Sequence, residues 1–176
     1  MKKLFAILFT GGLLAANAVP IAPAQAQTGA TFYCGSSYDP TSKTNIPTTL
    51  IAVSGREAPL ALIRWKSEYF PRYTPKERCT TISKKFQTAY KAGKLNFLST
   101  GKHRKTGQGI VCALSSVEES CEGSANMLFT LKPYSSGTLV LSQLTGIVTG
   151  ESNNPLYQSS AEREVVNMQV LLQSAK

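Results

Sequence analysis

Four cysteines, Cys34, Cys79, Cys112 and Cys121, restrict the conformations open to this chain more than any other feature. An even number of cysteines in an exported protein reads as a set of disulfides, here two. Four positions admit three pairings, and the sequence does not choose among them. Cys112 and Cys121 straddle the stretch SSVEES and could close a strand-to-strand connection, which would leave Cys34 with Cys79. In the chain-entropy account the larger of those two loops contributes about 4 kcal/mol and the smaller about 3 kcal/mol. The condition, export, comes from the N-terminus. MKK is followed by the uncharged apolar run LFAILFTGGLLAANAV and then by PIAPAQA, which ends on small residues. This is the three-part pattern of a secretory signal peptide, residues 1–26, with Gln27 as the expected new terminus. No cysteine stands at the cleavage point, so a lipid anchor is not indicated. No later stretch reaches the ~18 consecutive apolar residues of a membrane span. Residues 27–176, 150 of the 176, are expected to form one domain, long enough to bury about 70% of its unfolded surface.

Hydrophobic periodicity then places the elements. Residues 31–34 (TFYC) and 48–53 (TTLIAV) read as strands, with GSSYDPTSKTN between them dense in turn formers and read as a loop. Residues 60–66 (LALIRWK) alternate, so that Ile63 and Trp65 share one face and Arg64 and Lys66 the other. Thr74 as N-cap, Pro75 at the first helical position and Glu77 as the capping-box partner start a helix. Cys79, Ile82, Phe86, Ala89 and Tyr90 make its apolar stripe, and Gly93 ends it. Residues 95–100, 109–114 and 126–132 read as further strands, the last covered on both faces. Residues 137–148 read as a second helix behind a serine cap, with Leu144, Ile147 and Val148 inward, and the tail EREVVNMQVLLQ as a short strand followed by a helical turn. The expected class is α+β: an antiparallel sheet of about five to six strands with two helices packed on one face, and two disulfides.

Several spacings stand together in order: Phe32-x-Cys34, Pro47-Thr48-Thr49, Ile63-Arg64-Trp65, Thr74-Pro75-x-x-Arg78-Cys79, Phe86-Gln87, and Gly93-x-Leu95-Asn96-x-Leu98-x-Thr100-Gly101. Leu128-Phe129-Thr130-Leu131-Lys132-Pro133 and Pro155-Leu156-Tyr157 follow. In this order they resemble the circadian oscillating protein family of cyanobacteria, from about Phe32 to the tail. The resemblance implies a small exported protein that associates peripherally with membranes. It brings no catalytic motif, and the rhythm in the family's name is a property of abundance rather than of these residues.

Few residues suit catalysis. Residues 27–176 hold one histidine, His103, and one aspartate, Asp39. A Ser-His-Asp device would require Asp39 to come alongside His103, and nothing in the sequence argues for that. Paired cysteines leave no thiolate, and the spacing of Cys112 and Cys121 with one distant histidine is not that of a zinc site. The segment GKHRKTGQG is basic and glycine-rich but lacks the order of a phosphate-binding loop. Glu118, Glu119 and Glu122 read as a solvated tip rather than a calcium loop. No cofactor and no metal is expected.

Charge carries the stronger signal. Residues 64–105 contain twelve Lys/Arg against two acids, Glu68 and Glu77, whereas the rest of residues 27–176 has five Lys/Arg and eight acids. The candidate face takes Arg64 and Lys66 from a strand, Tyr69, Arg72 and Tyr73 from the aromatic-basic hinge YFPRY, Lys84 and Lys91 from the helix, and Lys102, Arg104 and Lys105 from one loop. Within the hinge, Phe70 is expected to plug the core. Aromatic side chains with a polar tip favour a headgroup zone, and each basic residue there adds about 1 kcal/mol against an anionic surface. The expectation is an exported, non-enzymatic binding module of the periplasm or thylakoid lumen. It would dock peripherally on an anionic membrane surface or an acidic protein partner. A hydrolase using His103 is the alternative from another class. Nucleic-acid binding is permitted by the basic-aromatic composition, but export argues against it.

Overall fold

The computed structural model describes residues 29–66, 72–123, 125–149 and 165–174. The expected signal peptide, the hinge residues Tyr69 and Phe70, and Pro155, Leu156 and Tyr157 lie outside them.

The α+β class expected from the periodicity is present, with every strand pairing antiparallel. The strands divide between two sheets. The first has the order β1-β2-β3, from Ala30–Asp39, Thr44–Val53 and Leu60–Arg64. The second has the order β6-β5-β4-β7, from Met127–Thr130, Gly109–Leu114, Phe97–Lys102 and Val165–Asn167. Helix α1 (Pro75–Lys91) packs on β1 and β2 and reaches β6. Helix α2 (Gly137–Thr149) packs on β3, β4 and β5, and the short α3 (Met168–Ser174) lies against α2 and β4. The tail forms the expected short strand and helical turn, as β7 and α3.

One expected loop is a hairpin. GSSYD belongs to β1, whose register with β2 runs unbroken from Ala30 opposite Val53 to Asp39 opposite Thr44. Small and polar residues hid this extension, because its pairs are held by polar contacts that apolar alternation does not report. The Ser37 and Thr48 hydroxyls are 2.8 Å apart across the strands. At the hairpin end the Ser42 N–H and hydroxyl both donate to Asp39 Oδ2, at 2.8 and 2.6 Å.

Helix α1 follows its sequence signals closely. The Thr74 hydroxyl accepts from the Glu77 N–H at 3.2 Å, and the Thr74 N–H donates to Glu77 Oε2 at 2.8 Å, closing the capping box. At the other end Gly93, with φ +65°, donates to the Tyr90 carbonyl and Lys94 to the Ala89 carbonyl, a Schellman ending. Cys79, Ile82 and Phe86 are buried and Ala89 and Tyr90 half-buried, as the stripe predicts. The core formed by this stripe extends through Phe32, Ile51 and Leu62 of the first sheet to Leu98, Val111 and Leu128 of the second. Phe32 stacks on Phe86 with centroids 5.5 Å apart.

The cysteines pair as Cys34–Cys79 and Cys112–Cys121, with Cα separations of 5.4 and 5.6 Å. The first bond ties strand β1 to helix α1. The second returns the loop after β5 to the strand it left. Of the three pairings open to the sequence, this is the one the elements accommodate.

Candidate docking surface and apolar cleft

The candidate basic residues come from four parts of the fold, and the structure groups them unequally. Lys84 and Lys91 stand seven residues apart on the exposed face of α1. They border a shallow depression that also takes in Tyr33 and Cys34 of β1 and Gln87 of α1, with no acidic residue among its described lining. Tyr33 is 38% exposed there, an aromatic ring with a polar tip beside two solvated ammonium groups. The depression owes its shape to the contact of α1 with β1. Gln87 Oε1 accepts from the Phe32 N–H at 2.6 Å, and the Tyr90 hydroxyl accepts from the Ala30 N–H at 3.1 Å. These side chains take the edge-strand donors that the hairpin leaves open.

The loop residues Arg104 and Lys105 line a different depression, with Glu119 and Glu122 among them. Arg104 pairs with Glu122 at 2.6 Å. Glu119 accepts from the Ser115 N–H and hydroxyl, both at 2.8 Å, and from Asn126, and the Ser115 N–H foremost holds its carboxyl below the usual range. Lys102 ends β4 and is exposed. The positive charge of this loop is therefore locally offset. Lys66 is also engaged, because its ammonium lies 2.6 Å from Asp39 Oδ2. That contact foremost, with the Ser42 donors behind it, holds the Asp39 carboxyl far below the ordinary carboxylate value. Arg64 is exposed at the end of β3, and Arg72 and Tyr73 are exposed before α1.

Asp39, bound to Lys66 and Ser42, makes no hydrogen bond to His103 among the described residues. The His103 backbone is fixed by its N–H donating to the Gln108 carbonyl at 2.8 Å, and its Nδ1 is buried without a hydrogen-bond partner. Asp39 is thus not the carboxylate partner of His103.

Two cations outside the candidate set sit in a second cleft. Arg78 lies over the Trp65 ring, its Cζ 4.7 Å from the centroid. Lys85, one helical flank further on, donates to the Met127 carbonyl at 3.3 Å. Trp65 and Phe129 meet edge to face at 6.3 Å behind them. Burial lowers the pKa of both Arg78 and Lys85. Their seven-residue spacing, next to the stripe positions Cys79, Ile82 and Phe86, was the available sequence signal. It places them at the boundary of the buried face, where a long basic side chain lies along apolar surface.

A family model described as Circadian oscillating protein COP23 matches residues 31–173. The chain belongs to that family. The match covers both sheets, α1, both disulfides and the Lys84–Lys91 face of this circadian oscillating protein family member. No curated protein and no solved structure matches the chain. Two disulfides are the chemistry of an oxidising compartment. Among the described residues no helix is long and apolar enough to cross a membrane.

Proposed function

We propose that the protein is an exported binding module, cleaved after residue 26, that docks peripherally on an anionic membrane surface in the periplasm or thylakoid lumen. The observation that carries this reading is the depression between α1 and β1, whose described lining holds Lys84, Lys91 and the exposed Tyr33 and no acidic residue. Both ammonium groups are solvated and neither pairs with a carboxylate among the described residues. Arg64, Arg72 and Lys102 add exposed positive charge, while Lys66 and Arg104, being paired, contribute less. Contacts of this kind are electrostatic and weaken within a Debye length of about 8–10 Å at moderate salt.

The test is co-sedimentation of the purified protein with vesicles of phosphatidylglycerol and phosphatidylcholine against phosphatidylcholine alone. Binding should require the anionic lipid and fall steeply as salt is raised. The double substitution Lys84→Glu and Lys91→Glu should abolish it, whereas Lys66→Gln should matter less. Salt-independent sedimentation, no sedimentation, or an unaffected double variant would refute membrane docking. Capture of an acidic protein with no affinity for vesicles would assign the face to that partner instead.

A further inference from the structure

The cleft between α1 and β6 has a volume of about 320 Å³, near the lower end of the range of small-molecule sites. Its walls are Trp65, Ile82, Leu128 and Phe129, and its described lining contains Arg78 and Lys85 but no aspartate or glutamate. Lys85 is half-buried, and among the described residues its partner is a neutral carbonyl, that of Met127. A carbonyl oxygen accepts a hydrogen bond but does not neutralise the ammonium. A cation held partly out of water is more stable with an anion beside it than with a dipole. The Arg78 guanidinium stacks on Trp65 in the same cleft, 4.7 Å from the ring centroid.

We propose that this cleft binds a small organic monoanion with a flat apolar body, its carboxylate or sulfonate on the Lys85 ammonium and its body against Trp65 and Phe129. Charge complementarity excludes cationic ligands. The edge-to-face pair of rings offers apolar surface to a planar group, which ring faces and edges receive well. The proposal does not depend on membrane docking, because Lys84 and Lys91 border a different depression.

The test uses two fluorescent probes with nearly the same apolar body, anionic 8-anilinonaphthalene-1-sulfonate and neutral N-phenyl-1-naphthylamine, titrated into the purified protein. The sulfonate should bind saturably at one site and more tightly than the neutral probe. Lys85→Met should weaken the sulfonate about tenfold, the loss expected for one partly buried charge-assisted contact, and leave the neutral probe within about twofold. Lys85→Arg should restore most of the sulfonate affinity. Thr81 is exposed at the cleft, so Thr81→Trp can fill the space without disturbing the core and should block both probes. Three results would overturn the proposal: no saturable sulfonate binding, equal affinity for the two probes, or sulfonate affinity unchanged by Lys85→Met. Sulfonate binding that persists in Thr81→Trp would place the probe elsewhere and would likewise overturn it.

Discussion

The hydroxyl of Thr49 is fully buried and accepts two hydrogen bonds, from the Trp65 indole N–H at 3.0 Å and from the Ser83 hydroxyl at 2.9 Å. It joins β2, the end of β3 and α1 at one atom. Thr49→Val keeps the shape and removes the acceptor, leaving two buried donors unpartnered. The expected loss is about 1–3 kcal/mol in a urea unfolding curve. Thr49→Ser keeps the acceptor and should lose less. Equal losses would mean that packing alone fixes this site. Asp39 supports a prediction of a different kind. Its folded pKa is depressed, chiefly by Lys66, so the unfolded chain takes up the proton first as pH falls. The stabilisation is therefore complete above the unfolded aspartate value of about 4 and declines as pH drops below it. Asp39→Asn should melt below the parent at pH 7, and the gap should narrow at pH 3. A gap independent of pH would show that the carboxylate charge is not what holds the hairpin end.

At the scale of elements, α1 organises the first sheet twice over. Its capping box sets where it begins, and Thr74→Ala should cost about 1 kcal/mol, read as a lower denaturation midpoint at unchanged slope. Its Gln87 and Tyr90 cover the Phe32 and Ala30 donors of β1, which is an edge strand. An uncovered edge invites pairing with other chains. Gln87→Ala should cost about 1 kcal/mol and speed amide exchange at Phe32 while leaving β2 amides protected. Exchange that is unchanged at Phe32 would show that the contact does not guard the edge. The helix was legible in the sequence because its start, stripe and stop are all local signals. The β1 extension was not, because the Ser37–Thr48 and Asp39–Ser42 contacts pair residues whose polarity reads as loop. The division into two sheets was equally hidden, since strand neighbours are set by packing against α1 and α2, which no local pattern encodes.

For the molecule as a whole, the charge asymmetry along the chain was plain, but the partners that offset it were not. Asp39 reaches Lys66 across 27 positions and Glu122 reaches Arg104 across 18, distances at which sequence gives no pairing rule. Lys66 and Arg104 are offset in this way, whereas Lys84 and Lys91 of α1 pair with no carboxylate among the described residues. The disulfides act on the same scale and allow a comparison. Cys34–Cys79 spans 45 positions and Cys112–Cys121 spans 9, so loop entropy alone makes the first worth about 4 kcal/mol and the second about 3 kcal/mol. Packing opposes that order. Gly101 of β4 runs so close to Cys121 that a Cβ built there would fall 1.9 Å from the Cys121 carbonyl oxygen. The short loop is thus seated directly on the strand beneath it, and releasing it disturbs β4 as well as β5. Guanidinium unfolding of the paired variants, Cys34→Ala with Cys79→Ala and Cys112→Ala with Cys121→Ala, separates the two effects. Because one buried cluster runs through both sheets, each variant should still unfold in a single transition, with the first pair losing more. A larger loss in the second pair would make the Gly101–Cys121 contact, not chain entropy, the dominant contribution of that bond. Gly101→Ala, which forces the same two backbones apart with the disulfide intact, should then reproduce most of it.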